Sequence, residues 1–429
     1  MEYLIAFLVL IGVLIWFHEL GHFLFAKLFG VKVEVFSIGF GPVLLKKRYG
    51  ETEYRLSAIP LGGFVKLYGE EDNLADPKAF SSKPNWQKIL IAFAGSFFNF
   101  ILAVLVFWFL GLLGKEVPKY ALEKPVVGYV QENSLAEKLG IREGDLVLSI
   151  NGKEVKTWKE LEERMLREIF ARTITVEVLR DGKVVVLKGN LDVKNPRAFG
   201  AEPTIEPVIG GVLEGSPAHQ VGIRKGDKIL SINGVEVKTW QESVKLIRSS
   251  EKINLRIERD GLEKELTIIP MKDPKTNLSV IGVMPHIGTV KLKQGVYESL
   301  VASVEKIVLL SGLTLKAVWS MITGTLSPTN LGGPIAIAQL AGQSAQQGII
   351  PYLNLLAFIS VQLAIFNLLP LPMLDGGLIV LFFIEMLRRK PLSVKFKEAW
   401  QKTGLAIIIA LSLFVIINDF IRLFSGKKF

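Results

Sequence analysis

Apolar positions along this chain fall into four stretches long enough to cross a bilayer, at about residues 3–29, 89–113, 352–384 and 405–423, against a requirement of about 20 residues for a spanning helix. Between the first two, the pattern shortens to alternating runs at 31–36, 43–46, 53–56 and 62–67, the period of strands. Residues 297–321 are apolar with scattered Lys and Glu, which predicts an interfacial amphipathic helix, with a fifth span as the alternative. The pattern predicts a multi-span α-helical membrane protein with about four transmembrane helices, a cytosolic β-hairpin region and two small α+β domains. Its segments are a first span at 1–29, a cytosolic β-rich loop at 30–88 and a second span at 89–114. Small domains follow at 124–191 and 206–272, then an amphipathic membrane-associated region at 297–350. A third span at 351–386 and a fourth at 405–424 complete the chain.

The two small domains are copies of one another. The segment from Gly140 to Trp158 recurs from Gly222 to Trp240, an offset of 82, with fifteen of nineteen positions identical. Upstream, Val127-Gly128-Tyr129-Val130 answers to Ile209-Gly210-Gly211-Val212. Each copy predicts strand, short helix, Gly-Asp turn, a strand closing in an Asn-Gly hairpin, and a longer helix. The signature Gly-Ile-Arg-x-Gly-Asp-x-(Val/Ile)-Leu-Ser-Ile-Asn-Gly resembles PDZ domains in their circularly permuted bacterial form. The resemblance implies a groove that takes an extended peptide by strand addition, with 127–130 and 209–212 at its peptide-binding edge. Rigid spacers without a ligand are the alternative. Residues 192–207, with Asn195-Pro196 and Pro203, predict the linker between the copies.

Composition narrows the class. Half of the 429 residues are hydrophobic and 21% are charged, which suits spans joined to water-soluble domains. The formal charge of +10 is spread through loops, so basic cytosolic loops account for it and no nucleic-acid partner is implied. Residues 30–88 hold nine Lys/Arg, and Arg388, Arg389, Lys390, Lys395, Lys397 and Lys402 follow the third span; both loops predict the cytoplasmic side. Both termini and the paired domains then lie outside; their resemblance to bacterial PDZ domains implies that this is the periplasmic side of a bacterial inner membrane. Arg422, Lys427 and Lys428 weigh mildly against that orientation. Cysteine is absent, so any metal must be held by His, carboxylate or amide groups.

Ionisable groups inside the first span carry the chemistry. His18-Glu19-Leu20-Gly21-His22 puts two imidazoles on one helical face with a carboxylate beside them. That is two-thirds of a hydrolytic zinc site, with Glu19 as candidate general base. A cleaved signal peptide is disfavoured because no basic n-region precedes the apolar run. Of the remaining histidines, His219 reads as a surface residue. The third span offers a ligand instead. From Phe366 to Gly377 it carries two prolines and two glycines that break the helix, with Asp375 as a ligand candidate and Asn367 as a polar partner. A simple helix-capping role for Asp375 is the alternative. Counted along the helices, His18 and Asp375 both fall toward the cytoplasmic half of the membrane.

Taken together, these motifs resemble the site-2 protease family over nearly the whole chain, nearest to its bacterial regulator of sigma-E branch with tandem PDZ domains. Gly95-Ser96-Phe97-Phe98-Asn99, Gly62-Gly63-Phe64-Val65-Lys66 and Leu331-Gly332-Gly333-Pro334 extend the match. The resemblance implies intramembrane zinc proteolysis, with Zn2+ held by His18, His22 and Asp375 and with Glu19 catalytic. It implies substrate contacts at Asn367, at the strand edge Gly63, Phe64, Val65 and Lys66, and at Asn99. Implied partners are single-span membrane proteins (anti-sigma factor-like proteins or remnant signal peptides), C-terminal peptides at the PDZ grooves, and the lipid bilayer. The rival is a non-catalytic PDZ-bearing membrane scaffold with a relict metal site.

Overall fold

The computed structural model describes residues 2–70, 74–168, 171, 173–190, 199–273 and 277–424. Asn195-Pro196 of the expected linker, and Lys427 and Lys428, lie outside the described residues. The chain divides into a helical unit, Met1–Lys115 with Lys293–Phe429, and a second unit, Glu116–Leu292.

Among the described residues, seven α-helices build the first unit: α1 Glu2–Leu28, α2 Asn85–Leu113, α3 Val296–Ile322, α4 Pro334–Gln347, α5 Ile349–Asn367, α6 Asp375–Arg388 and α7 Val394–Phe424. Of these α1, α2, α5 and α7 are long and apolar enough to cross a membrane. The third apolar stretch is thus two helices. The α5 span ends at Asn367, and the Pro370/Pro372 segment separates it from α6. The fourth span, α7, starts at Val394, well before the apolar run, and its first turns carry the basic residues Lys395, Lys397 and Lys402.

In α1 and α2 the apolar residues go all the way round, so lipid and neighbouring helices can both be faced. The two run antiparallel: Leu10 and Leu14 share a buried cluster with Leu102, while further along His22 reaches Ile91. The α3 helix packs on its neighbours. Ile307 is buried in one cluster with Ala103, Phe107, Val361 and Ile365. Thr314 donates to Gln362 at 2.9 Å and Lys306 lies over the Phe107 ring. The helix stands lengthwise against α2 and α5.

Polar residues in α7 have a structural task. The fully buried Asp419 carboxylate accepts from the backbone N–H groups of Gly333 (2.9 Å), Ile335 (3.0 Å) and Ala336 (3.3 Å), capping α4 from another helix. Asn418 donates to the carbonyls of Thr329 and Leu331, and Arg422 also donates to Thr329. Pro334 at the first turn of α4 removes one further donor.

Between α1 and α2 the chain folds as one sheet from two long bent strands, Val33–Tyr49 and Thr52–Leu67. Residues 33–38 pair on one side with 53–56 and on the other with 63–67, while 43–48 pair with 53–57. The outer edges are therefore 43–49 and 63–67.

The second unit contains the two repeats. Each has a four-stranded sheet: Leu146–Ile150, Lys153–Glu154, Thr173–Arg180 and Lys183–Asn190 in the first, Lys228–Ile232, Val235–Glu236, Ile253–Arg259 and Leu262–Ile268 in the second. Asn151-Gly152 and Asn233-Gly234 all take positive φ, as a type I′ hairpin turn requires. Ser134 and Ser216 cap the short helices, and Thr157 and Thr239 cap the longer ones.

The Gly-Asp turns carry a buried ion pair in each copy. Arg180 clamps Asp145 with two hydrogen bonds of 2.7 Å, and Arg259 clamps Asp227 with two of 2.6 Å. Each guanidinium also reaches a turn carbonyl, of Gly140 or Gly222, and each carboxylate also accepts a backbone N–H from Arg142 or Arg224. Burial works to raise these carboxyls, but the guanidinium hydrogen bonds and charge prevail and hold both below the usual aspartate value. A depressed carboxyl stabilises the fold above its unfolded pKa and loses that contribution as pH falls through the folded value. Asp227→Ala leaves the Arg259 guanidinium without its carboxylate and should cost the second repeat about 3 kcal/mol. Amide exchange on the intact protein should show faster opening of Ile253–Arg259 in this variant at neutral pH, and a smaller difference from wild type once the pH falls below the usual aspartate range and through the lowered folded value.

Candidate active site

Three side chains from two helices far apart in the chain meet inside the helical unit. His18 and His22, one turn apart on α1, present both Nε2 atoms to Asp375 at the first position of α6. The His18 Nε2–Asp375 Oδ2, His22 Nε2–Asp375 Oδ1 and His22 Nε2–His18 Nε2 distances are 3.4, 3.5 and 3.3 Å. All three side chains are largely enclosed, with 12–15% of their surface exposed. Among the described residues this is the one His/Asp/Glu group that could hold a metal ion.

The spacing fits a metal. Ligand atoms about 2.0–2.1 Å from a tetrahedral zinc stand about 3.3 Å apart. Two imidazole nitrogens and a carboxylate suit zinc among the divalent ions and leave a fourth position for water or substrate.

Local chain features explain why Asp375 arrives there. After Asn367 the helical ladder ends, Leu371 N–H bonds back to the Leu369 carbonyl at 2.7 Å, and Met373 takes a left-handed φ of 73°. This tight reversal returns the chain so that α6 begins at the histidines, where its N-terminal dipole favours a carboxylate. No side-chain capping bond is made at the start of α6.

Close approach of α1 and α2 completes the geometry. A Cβ on Gly21 would stand 2.2 Å from the Ala94 carbonyl oxygen, and one on Gly95 would stand 2.3 Å from His22 Nε2 and 2.7 Å from His18 Cε1. These two glycines let the backbones touch and leave room for the rings.

The other expected residues distribute unequally. Glu19 is buried on α1, and Gly63 lies against it, a Cβ there falling 3.0 Å from Glu19 Cγ. The outer strand 63–67, with Phe64, Val65 and Lys66, therefore borders the candidate base. Asn367, half-buried at the end of α5, has its Nδ2 3.5 Å from His18 Nε2. Asn99 differs from its expected substrate contact. It is fully enclosed, its side-chain amide facing His18 Nδ1 at 3.2 Å on the side away from Asp375 and its backbone carbonyl accepting from the Ser360 hydroxyl at 2.7 Å. Ser96, quoted in the sequence only as part of a motif, donates toward Asp375 Oδ2 at 3.4 Å. No local pattern marks such a contact, because it exists only once α2 and α6 are packed.

The groove edges also move. Strand Ile209–Val212 pairs with Val283–Pro285, and Tyr129–Val130 with Ala201–Glu202. On their other side, Val127 and Ile209 exchange backbone bonds with the Gly-Asp turns, through Gly144 and Asp145 or Gly226 and Asp227. Gly128, Gly210 and Gly211 lie within the same paired runs, Gly210 packed against Pro285 and His286. The 127–130 and 209–212 segments are thus inner strands, and the outermost strands are 199–202 and 281–285. Helix Trp240–Arg248 lies beside Ser279–Val280, at the head of that outer strand. The PDZ resemblance implied a groove edge at the strand opening each repeat, whereas the strand following each repeat takes the outside position.

Comparison with known proteins adds a family. The model of peptidase family M50 matches residues 6–411. The chain is similar to the regulator of sigma E protease of Haemophilus influenzae, with 34% identity over 97% of this chain and 98% of that one. It is likewise similar to a putative zinc metalloprotease of Vibrio cholerae, with 35% identity over 98% of each. A solved PDZ domain of an SdrC-like protein from Listeria monocytogenes aligns with 20% of this chain and 93% of that domain at 23% identity, with a TM-score of 0.18, too low to bear on the fold.

Gly95→Ala should push the imidazoles off their positions and weaken zinc retention at least ~10-fold. Gly12→Ala on the same α1, where nothing lies within 4 Å of the new methyl, should retain the metal. Zinc content after dialysis against a chelator distinguishes them.

Proposed function

The chain belongs to peptidase family M50, and on that premise we propose that His18, His22 and Asp375 hold its zinc, with Glu19 as general base. It is a zinc metalloprotease that hydrolyses peptide bonds within membrane-spanning segments. The single observation that carries the assignment of residues is the 3.3–3.5 Å triangle of two imidazoles and a carboxylate enclosed among apolar helices.

When bound there, zinc supplies a Lewis acid for the scissile carbonyl and a water acidified toward neutrality. Glu19 takes the water's proton and hands it to the departing amine. Asn367, with part of its side chain accessible, donates to the substrate backbone or to the oxyanion. A substrate helix has its amides satisfied internally, so it must open before attack. The outer strand Gly63 to Lys66 compensates by pairing with the opened chain and holds it extended past Glu19.

Substrates are single-span membrane proteins of the anti-sigma factor kind, or remnant signal peptides. The Haemophilus influenzae relative is named for regulation of sigma E, which favours the first. Both termini and the repeats lie on the outer face of a bacterial inner membrane, following the basic loops. The repeats take C-terminal peptides at the outer strands 199–202 and 281–285.

Glu19→Gln should lower cleavage of a tagged single-span substrate in liposomes by ~10²–10⁴-fold with zinc content unchanged. Asp375→Ala should lose both metal and cleavage. Full activity in the glutamine variant would reject the base assignment. Absence of cleavage by wild type across several substrates, with zinc bound, would favour a scaffold.

A further inference from the structure

Each of the three proposed ligands has a partner on α2, within nine residues of one another. His22 Nδ1 faces the Ile91 carbonyl at 2.8 Å, Asp375 Oδ2 faces Ser96 Oγ at 3.4 Å, and His18 Nδ1 faces the Asn99 amide at 3.2 Å. The first pairing fixes a tautomer outright. A carbonyl can only accept, so His22 Nδ1 carries the proton and Nε2 keeps its lone pair.

Asn99 is the unusual member. Its side chain is fully buried, and its Oδ1 has no hydrogen-bond partner while Nδ2 faces the ring. A carboxamide has one donor end and one acceptor end, and a buried acceptor left alone is costly. A histidine that gives Nε2 to a metal carries its proton on Nδ1 and needs an acceptor there. Turning the Asn99 amide about its last bond brings the orphaned Oδ1 to that N–H. That rotation pairs Oδ1 with the imidazole N–H and moves Nδ2 to the position Oδ1 now holds. The Gly95 carbonyl also reaches the His18 ring, so the amide is not the sole candidate acceptor.

We propose that Asn99 is a positioning residue of the metal centre: its Oδ1 accepts from His18 Nδ1–H and holds that ring in the tautomer and orientation that offer Nε2 to zinc. The inference rests on the ligand assignment above. It replaces a substrate contact for Asn99 with an indirect role, because the enclosed amide reaches substrate only through His18.

The test uses the full-length protein in detergent, with zinc affinity measured by competition with a chromophoric chelator and site geometry by the visible absorption of the cobalt(II)-loaded form. Asn99→Leu keeps the size and removes both polar ends, and Asn99→Ala removes them without bulk in case the leucine variant does not fold. Both should bind zinc 10–100-fold more weakly and alter the cobalt spectrum. Asn99→Asp keeps an acceptor on His18 and should come within about threefold of wild type with its spectrum restored. Wild-type affinity in the alanine or leucine variant would overturn the proposal and leave the Gly95 carbonyl as sufficient. Equal weakness of the aspartate variant would also overturn it, since packing alone would then be the cause. His18→Ala separates the two levels. Zinc retained at wild-type affinity in that variant rejects the ligand assignment itself. Zinc lost there but held by Asn99→Leu rejects only the role of Asn99.

Discussion

Two helix backbones in van der Waals contact set the terms for the rest of the helical unit. At Gly21 and Gly95 there is no space for a methyl group, and that closeness puts both imidazoles within hydrogen-bond reach of α2. Wider separation of α1 and α2 would strand the ring Nδ1 atoms without partners in a medium that offers no water. The third proposed ligand, Asp375, then has to come from a chain that can bend beside the histidines. The reversal between α5 and α6, with its two prolines and left-handed Met373, supplies the bend.

The same rule of internal satisfaction governs the polar residues that take no part in chemistry. Asp419 would be expensive alone in lipid, yet it ends in three backbone N–H groups at the start of α4. Glu385 accepts from the Leu392 N–H at 2.9 Å and pairs with Lys397 at 2.7 Å, tying the end of α6 to the start of α7. These carboxylates hold loops that a bundle of leucines would leave undefined. The exception is the outer strand 63–67, whose neighbour is a helix carrying a buried glutamate. A strand edge beside the hydrolytic centre is suited to a peptide that has lost its own helical bonds.

In the second unit, duplication repeats local solutions. Both copies use the same Asn-Gly turn, the same Ser and Thr caps and the same Asp–Arg clamp. The clamp joins the Gly-Asp turn to the far end of a strand 35 residues away in the first copy and 32 in the second. Two turns are thereby locked by long-range contacts that keep their geometry in both copies.

What the sequence determined by itself was everything with a short period. Helical spacing put His18 and His22 on one face, apolar length marked the spans, and turn chemistry marked the hairpins of the repeats. The motifs were enough to name a family and to single out Asp375 across more than 350 positions, because two prolines and two glycines inside an apolar run have few other uses. Tertiary structure decided what depends on which surfaces meet. It enclosed Asn99 behind His18, gave Ser96 to Asp375, packed α3 along α2 and α5, and made 199–202 and 281–285 the outer strands of the repeats. An inner strand and an edge strand share one alternating pattern, and a buried amide reads the same in sequence whether it faces a substrate or a ligand ring. Only the partner across the gap tells them apart, and the partner is set by packing between residues far separated along the chain.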